Sequence, residues 1–143
     1  MLQLHSPLRY VTDAKFRSAA FQRGQIITRT AIITGSTSGI GLGIAEAVAA
    51  QGMNIMLNGF GDADEIEATR AALDAKAEGT VVYHGADMTK PAEIADLVAQ
   101  TEAKFGAVDI LVNNAGIQFV GPVEDFPIEK WDAIIAINMS SAF

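Results

Sequence analysis

The chain has no cysteine among its 143 residues. That excludes disulfide bridges, thiolate catalysis and cysteine-ligated zinc, and it leaves the compartment open. Histidine is nearly as scarce. His5 and His84 stand far apart, so no metal site is expected, and both read as incidental surface or strand-end residues. No apolar run approaches the length of a membrane-spanning helix, so a water-soluble protein with no membrane partner is expected. Against these absences stands a hydrophobic content of 50%, which argues against disorder. The length suits one domain with a real core and is too short for two ordinary ones.

Charge is unevenly spread within a net of −7. Near the start, Arg9, Lys15, Arg17, Arg23 and Arg29 face Asp13 alone, while almost all the acid lies further on. A body that acidic repels a phosphate backbone, so nucleic acid is not an expected partner. Residues 1–24 read as a basic leader or extension ahead of a domain at 25–143. The apolar residues of the leader keep no helical period and Pro7 interrupts them, which favours a plain extension over an organelle transit peptide. The expected location is cytoplasmic, or the mitochondrial matrix if the leader is a transit signal.

From residue 26 onward, strand-like and helix-like segments alternate. Strands are expected over 26–34, 54–59, 80–84 and 108–112, and helices from Ile40 to Gln51, over 64–78 and over 91–105. Gly52 sits where a helix C-terminal glycine belongs, and Pro91 where a first turn tolerates the missing N–H. A last helix begins at Pro127, with Trp131, Ile134, Ile135, Asn138 and Ala142 on one face, and is still running at Phe143. This alternation predicts βαβ units and an α/β, Rossmann-type doubly wound parallel sheet, cut off after the fourth strand and the start of the following helix.

The stretch "TGSTSGIG", Thr34 to Gly41, carries the first chemistry. Gly35 can take positive φ, Gly39 lets backbone approach a ligand, and Gly41 allows the helix to pack closely on the sheet. Amide groups at the helix start, with the helix dipole, suit a pyrophosphate. A plain tight turn is the alternative for the same residues. The position after a strand, before a helix and inside a βαβ frame favours the nucleotide. "NNAG", Asn113 to Gly116, follows the fourth strand and should face the same crevice, since ligands of open α/β sheets sit outside the carboxyl ends of the strands.

Together these paired motifs resemble the short-chain dehydrogenase/reductase family over 25–143. The resemblance implies that Gly35, Ser36, Gly39, Ile40 and Gly41 surround the pyrophosphate and ribose of a dinucleotide. It places Asp87 at the adenine edge, with Met88 supplying backbone, and Asn113, Ala115 and Gly116 along the cofactor. Asn138 falls at the asparagine of the catalytic tetrad, which arranges a proton-relay water; capping of irregular backbone is its structural alternative. A finer resemblance, to the branch acting on 3-hydroxy acids, assigns Gln118 to the substrate carboxylate, with a surface loop amide as the alternative. The family also implies a homotetramer. NAD is the expected cofactor because the turn holds no Arg or Lys for an extra phosphate and the second strand runs into acidic "NGFGDADE". Asn58 and Gly59 replace the usual ribose-binding acid there, leaving Phe60 to pack around the adenosine.

The family chemistry also needs a serine on a later strand and a Tyr-x-x-x-Lys pair, whose lysine lowers the tyrosine pKa. This sequence has only Tyr10 and Tyr83, and neither has a lysine four positions on. The expectation is therefore an N-terminal portion of a dehydrogenase, inactive by itself, with the fourth strand exposed as a sheet edge prone to association. Two alternatives are a non-catalytic dinucleotide-binding module and a fragment that completes its sheet with a partner.

Overall fold

A computed structural model describes residues 28–143; the leader and the first residues of the expected opening strand lie outside that range. Four strands, β1 (Thr30–Ile33), β2 (Asn54–Asn58), β3 (Val81–His84) and β4 (Ile110–Val112), alternate with helices. The helices are α1 (Gly39–Ala49), α2 (Ala63–Asp74), α3 (Pro91–Phe105) and α4 (Ile128–Ile135), the last running into a π-helical turn at Ala136–Ser140. The sheet has the order β3-β2-β1-β4 and every pairing is parallel. The chain therefore winds outward from β1 to β3, then crosses back to the other side of β1. The strand order reverses between β1 and β4, which in such sheets opens a crevice at the carboxyl ends.

The all-apolar runs are explained by burial on both faces. Ala31, Ile33, Ile55, Leu57 and Val81 point to one face and pack with Ala45 and Ala49 of α1 and Leu73 of α2. Ile32 and Met56 point to the other, where Leu97, Ile94 and Val98 of α3 cover them. A strand clad on both sides has no reason to alternate polar and apolar residues.

Among the described residues both outer strands are edges, but they differ. At β3, Asp74 Oδ1 accepts the Val81 N–H at 2.7 Å and Arg70 Nη1 donates to the Val81 carbonyl at 2.9 Å. Side chains of α2 thus occupy the backbone groups that an edge would otherwise offer to another strand. The guanidinium is itself held by Glu67 Oε1 at 2.7 Å. On β4, by contrast, Leu111 is 52% exposed.

The observed elements are shorter than expected at several ends. β1 begins at Thr30, and α2 stops at Asp74 instead of continuing to residue 78. After Leu73 the backbone tightens: Lys76 N–H bonds to the Leu73 carbonyl and Ala77 N–H is shared between those of Leu73 and Asp74. That tightening frees the chain to turn back into β3. The last helix also departs from the expected single stripe. In the π turn Ser141 N–H reaches the Ala136 carbonyl, five residues back. Trp131 and Asn138 are both exposed.

Leu97 is 1% exposed beneath the sheet. Its replacement, Leu97→Ala, is expected to lower the unfolding free energy by about 2–5 kcal/mol. Urea denaturation followed by circular dichroism should show a lower midpoint with an unchanged slope.

Candidate functional site

The crevice between β1 and β4 is built by buried hydrogen bonds among strand ends. Thr34, 2% exposed at the end of β1, receives two backbone N–H groups on its hydroxyl, those of Asn114 and Ala115, each at 3.0 Å. Asn114 returns the contact: its Nδ2 donates to the carbonyls of Thr34 and Gly35, both at 2.9 Å. The glycine-rich turn and the loop after β4 are thereby one unit.

A second polar hub ties the turn to β2. Asn58 is fully buried, and its Nδ2 donates to the carbonyls of His84 at 3.0 Å and Ala86 at 2.9 Å. Its Oδ1 accepts the Gly35 N–H at 3.4 Å. Ser36 is also fully buried, its hydroxyl donating to the Ile33 carbonyl at 2.7 Å and accepting the Asn58 N–H at 3.1 Å. Ser36 can therefore take part in the turn through its backbone alone. Its side chain faces the sheet and fixes the turn, with no free hydroxyl to offer a ligand.

The glycines divide the work. Gly35 (φ 62°) and Gly39 (φ 56°) adopt left-handed backbone. A side chain on Gly41 would strike the Gly35 carbonyl and sit 2.5 Å from Asn114 Nδ2. Gly41 thus lets α1 approach the turn and the β4 loop, a closer contact than the expected packing on the sheet. Nothing would meet a Cβ at Gly39, which faces open space. Ile40 beside it is 79% exposed. Ser38 precedes α1 with extended backbone and gives no side-chain cap, so the first N–H groups of α1 stay open. The next helix shows the alternative: Asp62 caps α2 by accepting from the Asp64 and Glu65 N–H groups.

A cleft over this turn is lined by Gly35, Gly59, Phe60, Met88, Ala115 and Gly116, among others. The expected cofactor residues Phe60, Met88, Ala115 and Gly116 are thus brought together with Gly35. Asn113 and Gln118 are exposed and stand outside its lining. Alternation along the strand exit leaves Asn113 exposed and turns Asn114 inward to the Thr34 and Gly35 carbonyls. Asn58, expected only in place of a ribose-binding acid, serves instead as a buried hydrogen-bonding hub, and Asn114 of the NNAG loop ties that loop to the glycine-rich turn. A polar residue closing an otherwise apolar strand, as Asn58 does, was the available signal.

Asp87 is half-buried and locally engaged. Its Oδ1 accepts the Thr89 N–H at 2.9 Å and the Thr89 hydroxyl at 2.8 Å, with Lys90 Nζ at 3.4 Å from Oδ2. The Thr89 bonds, then Lys90, hold its carboxyl below the ordinary range. Glu93 accepts the Asp87 N–H at 2.8 Å and is likewise lowered, first by that bond and then by Lys90. Asn138 pairs both ends of its amide with Ile117: Oδ1 accepts the N–H and Nδ2 donates to the carbonyl, each at 2.9 Å. Asn138 is exposed, and its amide clamps the loop after β4 to the π turn, a pairing with irregular backbone. A larger groove lies elsewhere, an apolar hollow of about 510 Å³ between α3 and the end of the last helix, sharing Met88 with the cleft.

Comparison with known proteins decides the family. The short chain dehydrogenase family matches residues 29–143. The chain belongs to that family. It is 59% identical over 117 residues to a D-beta-hydroxybutyrate dehydrogenase of Rhizobium meliloti, covering 82% of this chain and 45% of that protein. A D-beta-hydroxybutyrate dehydrogenase of Cupriavidus necator is 62% identical over 116 residues, covering 80% of this chain and 44% of the relative. The chain thus spans a little under half the length of these relatives. Among solved structures, a short-chain dehydrogenase/reductase from Serratia marcescens superposes with a TM-score of 0.77 at 31% identity, covering 83% of this chain and 49% of the other. L-sorbose reductase from Gluconobacter frateurii, in complex with NADPH and L-sorbose, gives 0.76 at 33% identity over 80% of this chain and 43% of the other.

Removing either half of the strand-end tie should be costly. Asn114→Ala strands the Thr34 and Gly35 carbonyls, and Thr34→Val strands two N–H groups; each change is expected to cost about 1–3 kcal/mol or more, read by denaturant titration. Acid should act at a different place. Asp87 and Glu93 have lowered pKa values, so their support of the 87–93 segment is present above the ordinary carboxylate range. It is lost as pH falls through their lowered values, so the protection of the Asp87 and Thr89 amides, measured against the intrinsic exchange rate at each pH, should fall in acid.

Proposed function

We propose that this chain is the NAD-binding portion of a 3-hydroxybutyrate dehydrogenase, a protein that interconverts (R)-3-hydroxybutyrate and acetoacetate. The observation carrying this reading is the open start of α1 beside Gly39, held rigid by Thr34, Asn58 and Asn114 over a cleft at the sheet's switch point. The high identity to D-beta-hydroxybutyrate dehydrogenases supports the substrate class.

The residues present fit a dinucleotide. Gly39, Ile40 and Gly41 would offer backbone N–H groups to the pyrophosphate, with Gly35 leaving room for close approach. Phe60 and Met88 would flank the adenosine, Asp87 would lie at its adenine edge, and Ala115 and Gly116 would run along the remainder. When bound, a nicotinamide supplies a hydride acceptor for the hydroxyl-bearing carbon. The contribution of this chain is to bind and orient. Asn138 is proposed to hold the loop at Ile117 beside the reacting end, and Gln118 to meet the substrate carboxylate. Proton transfer belongs to the serine and Tyr-x-x-x-Lys pair of the family, which this sequence does not contain.

Selection of NAD over its 2′-phosphorylated form rests on charge. Among the described residues, the pocket beyond Phe60 is lined by Thr37, Ser38, Asp62 and Glu65, without a lysine or arginine. A phosphate there would meet the carboxylates of Asp62 and Glu65. A second reading, a module that pairs with another polypeptide at β4, draws on the single partner strand of β4 and the exposure of Leu111.

Calorimetric titration of the chain with NAD and NADP is expected to show heat for both and tighter binding for NAD. A turnover assay with (R)-3-hydroxybutyrate and NAD should give no product. Absence of any dinucleotide binding would remove the reading, and turnover by this chain alone would remove the claim that it only binds.

A further inference from the structure

Phe60 occupies a demanding position. Its residue lines both the cleft over the glycine-rich turn and the neighbouring hollow that holds Asp62 and Glu65. It is the partition between the two. Yet Phe60 is 65% exposed, so packing alone does not fix it. The backbone on either side is glycine, with Gly59 at φ 154° and Gly61 at φ 157°. Such a segment has a wide choice of conformations in isolation.

Two hydroxyl groups from separate elements restrict that choice. Tyr83 on β3 donates from Oη to the Gly59 carbonyl at 2.7 Å. Thr37, in the glycine-rich turn, donates from Oγ1 to the Phe60 carbonyl at 3.2 Å. Successive peptide groups are therefore held from two different parts of the fold. The fit is close: a Cβ on Gly59 would lie 2.6 Å from Thr37 Oγ1. Any side chain at Gly59 would push the threonine hydroxyl away, so the glycine and the threonine act as a matched pair.

We propose that Tyr83 and Thr37 are positioning residues for the adenosine half of a bound dinucleotide, holding the Gly59–Phe60 backbone so that Phe60 walls the cleft. The inference rests on the dinucleotide reading above. Burial raises the pKa of the Tyr83 phenol above its ordinary value, so it remains a donor throughout the neutral range. Neither residue lies at the reacting end; Tyr83 acts through the Gly59–Phe60 backbone, and Thr37 holds the same backbone while itself lining the neighbouring hollow.

The test is equilibrium titration of the full chain with ADP-ribose, and with inorganic pyrophosphate as a probe of the turn alone. Tyr83→Phe removes one hydroxyl at constant shape and is expected to weaken ADP-ribose binding about tenfold, leaving pyrophosphate affinity unchanged. Thr37→Val should weaken ADP-ribose similarly, and Thr37→Ser, which keeps the hydroxyl, should restore it. Because both hydroxyls hold one segment, the double variant should lose less than the product of the single losses. Equal weakening of both ligands by Tyr83→Phe would mark general damage to the fold and overturn the inference, as would unchanged ADP-ribose binding. No ADP-ribose binding by the unaltered chain would overturn the dinucleotide reading and this inference together.

Discussion

The mutual grip of Thr34 and Asn114 is the constraint on which the rest of the molecule depends. One hydroxyl accepts two backbone N–H groups and one amide donates to two backbone carbonyls, all at 2.9–3.0 Å. These groups sit at the ends of strands in a largely dry region, where an unpartnered amide or carbonyl would be expensive. Satisfying them in this one way forces the turn after β1 and the loop after β4 into fixed register. The crevice between the two loops is a consequence of that register.

Around this tie the fold uses glycine and asparagine in complementary ways. Glycines clear space: Gly41 for the approach of α1 to the turn, and Gly59 for the Thr37 hydroxyl. Asparagines fill the space with directed bonds: Asn58 toward Gly35, His84 and Ala86, and Asn114 toward Thr34 and Gly35. Asn138 does the same at the far side, pairing with Ile117 where the π turn interrupts the last helix. An asparagine amide both donates and accepts, so it can bridge loops whose exposed groups differ in kind. The outcome is a binding surface made of backbone, held by side chains that mostly face away from it.

This arrangement explains the different fates of the residues singled out from motifs. Ser36 belongs to the glycine-rich turn by sequence, but its hydroxyl closes on Ile33 and Asn58. Asp87 follows β3 as expected, with its carboxylate committed to Thr89 and Lys90 before any ligand arrives. Phe60, Met88, Ala115 and Gly116 gather around one cleft, although they come from three separate loops.

The sequence by itself determined the parallel α/β sheet, because uninterrupted apolar runs require burial on both faces and the helical segments between them supply the cover. It also determined the glycine-rich turn at the start of α1, since left-handed backbone at Gly35 and Gly39 is a local property. α3 was legible to the residue, with Pro91 fitting the first turn. What only the tertiary structure decided were the partners of the polar residues. Whether Asn113 or Asn114 turns inward, whether Ser36 faces ligand or sheet, and which carbonyls Tyr83 and Thr37 hold depend on segments 20 to 80 residues apart meeting in space. The π turn is of the same kind: the periodicity of 131–142 predicts a regular helix, whereas the Ser141 N–H reaches the Ala136 carbonyl five residues back. Hydrophobic spacing is written along the chain, whereas hydrogen-bond choice is settled between distant parts of it.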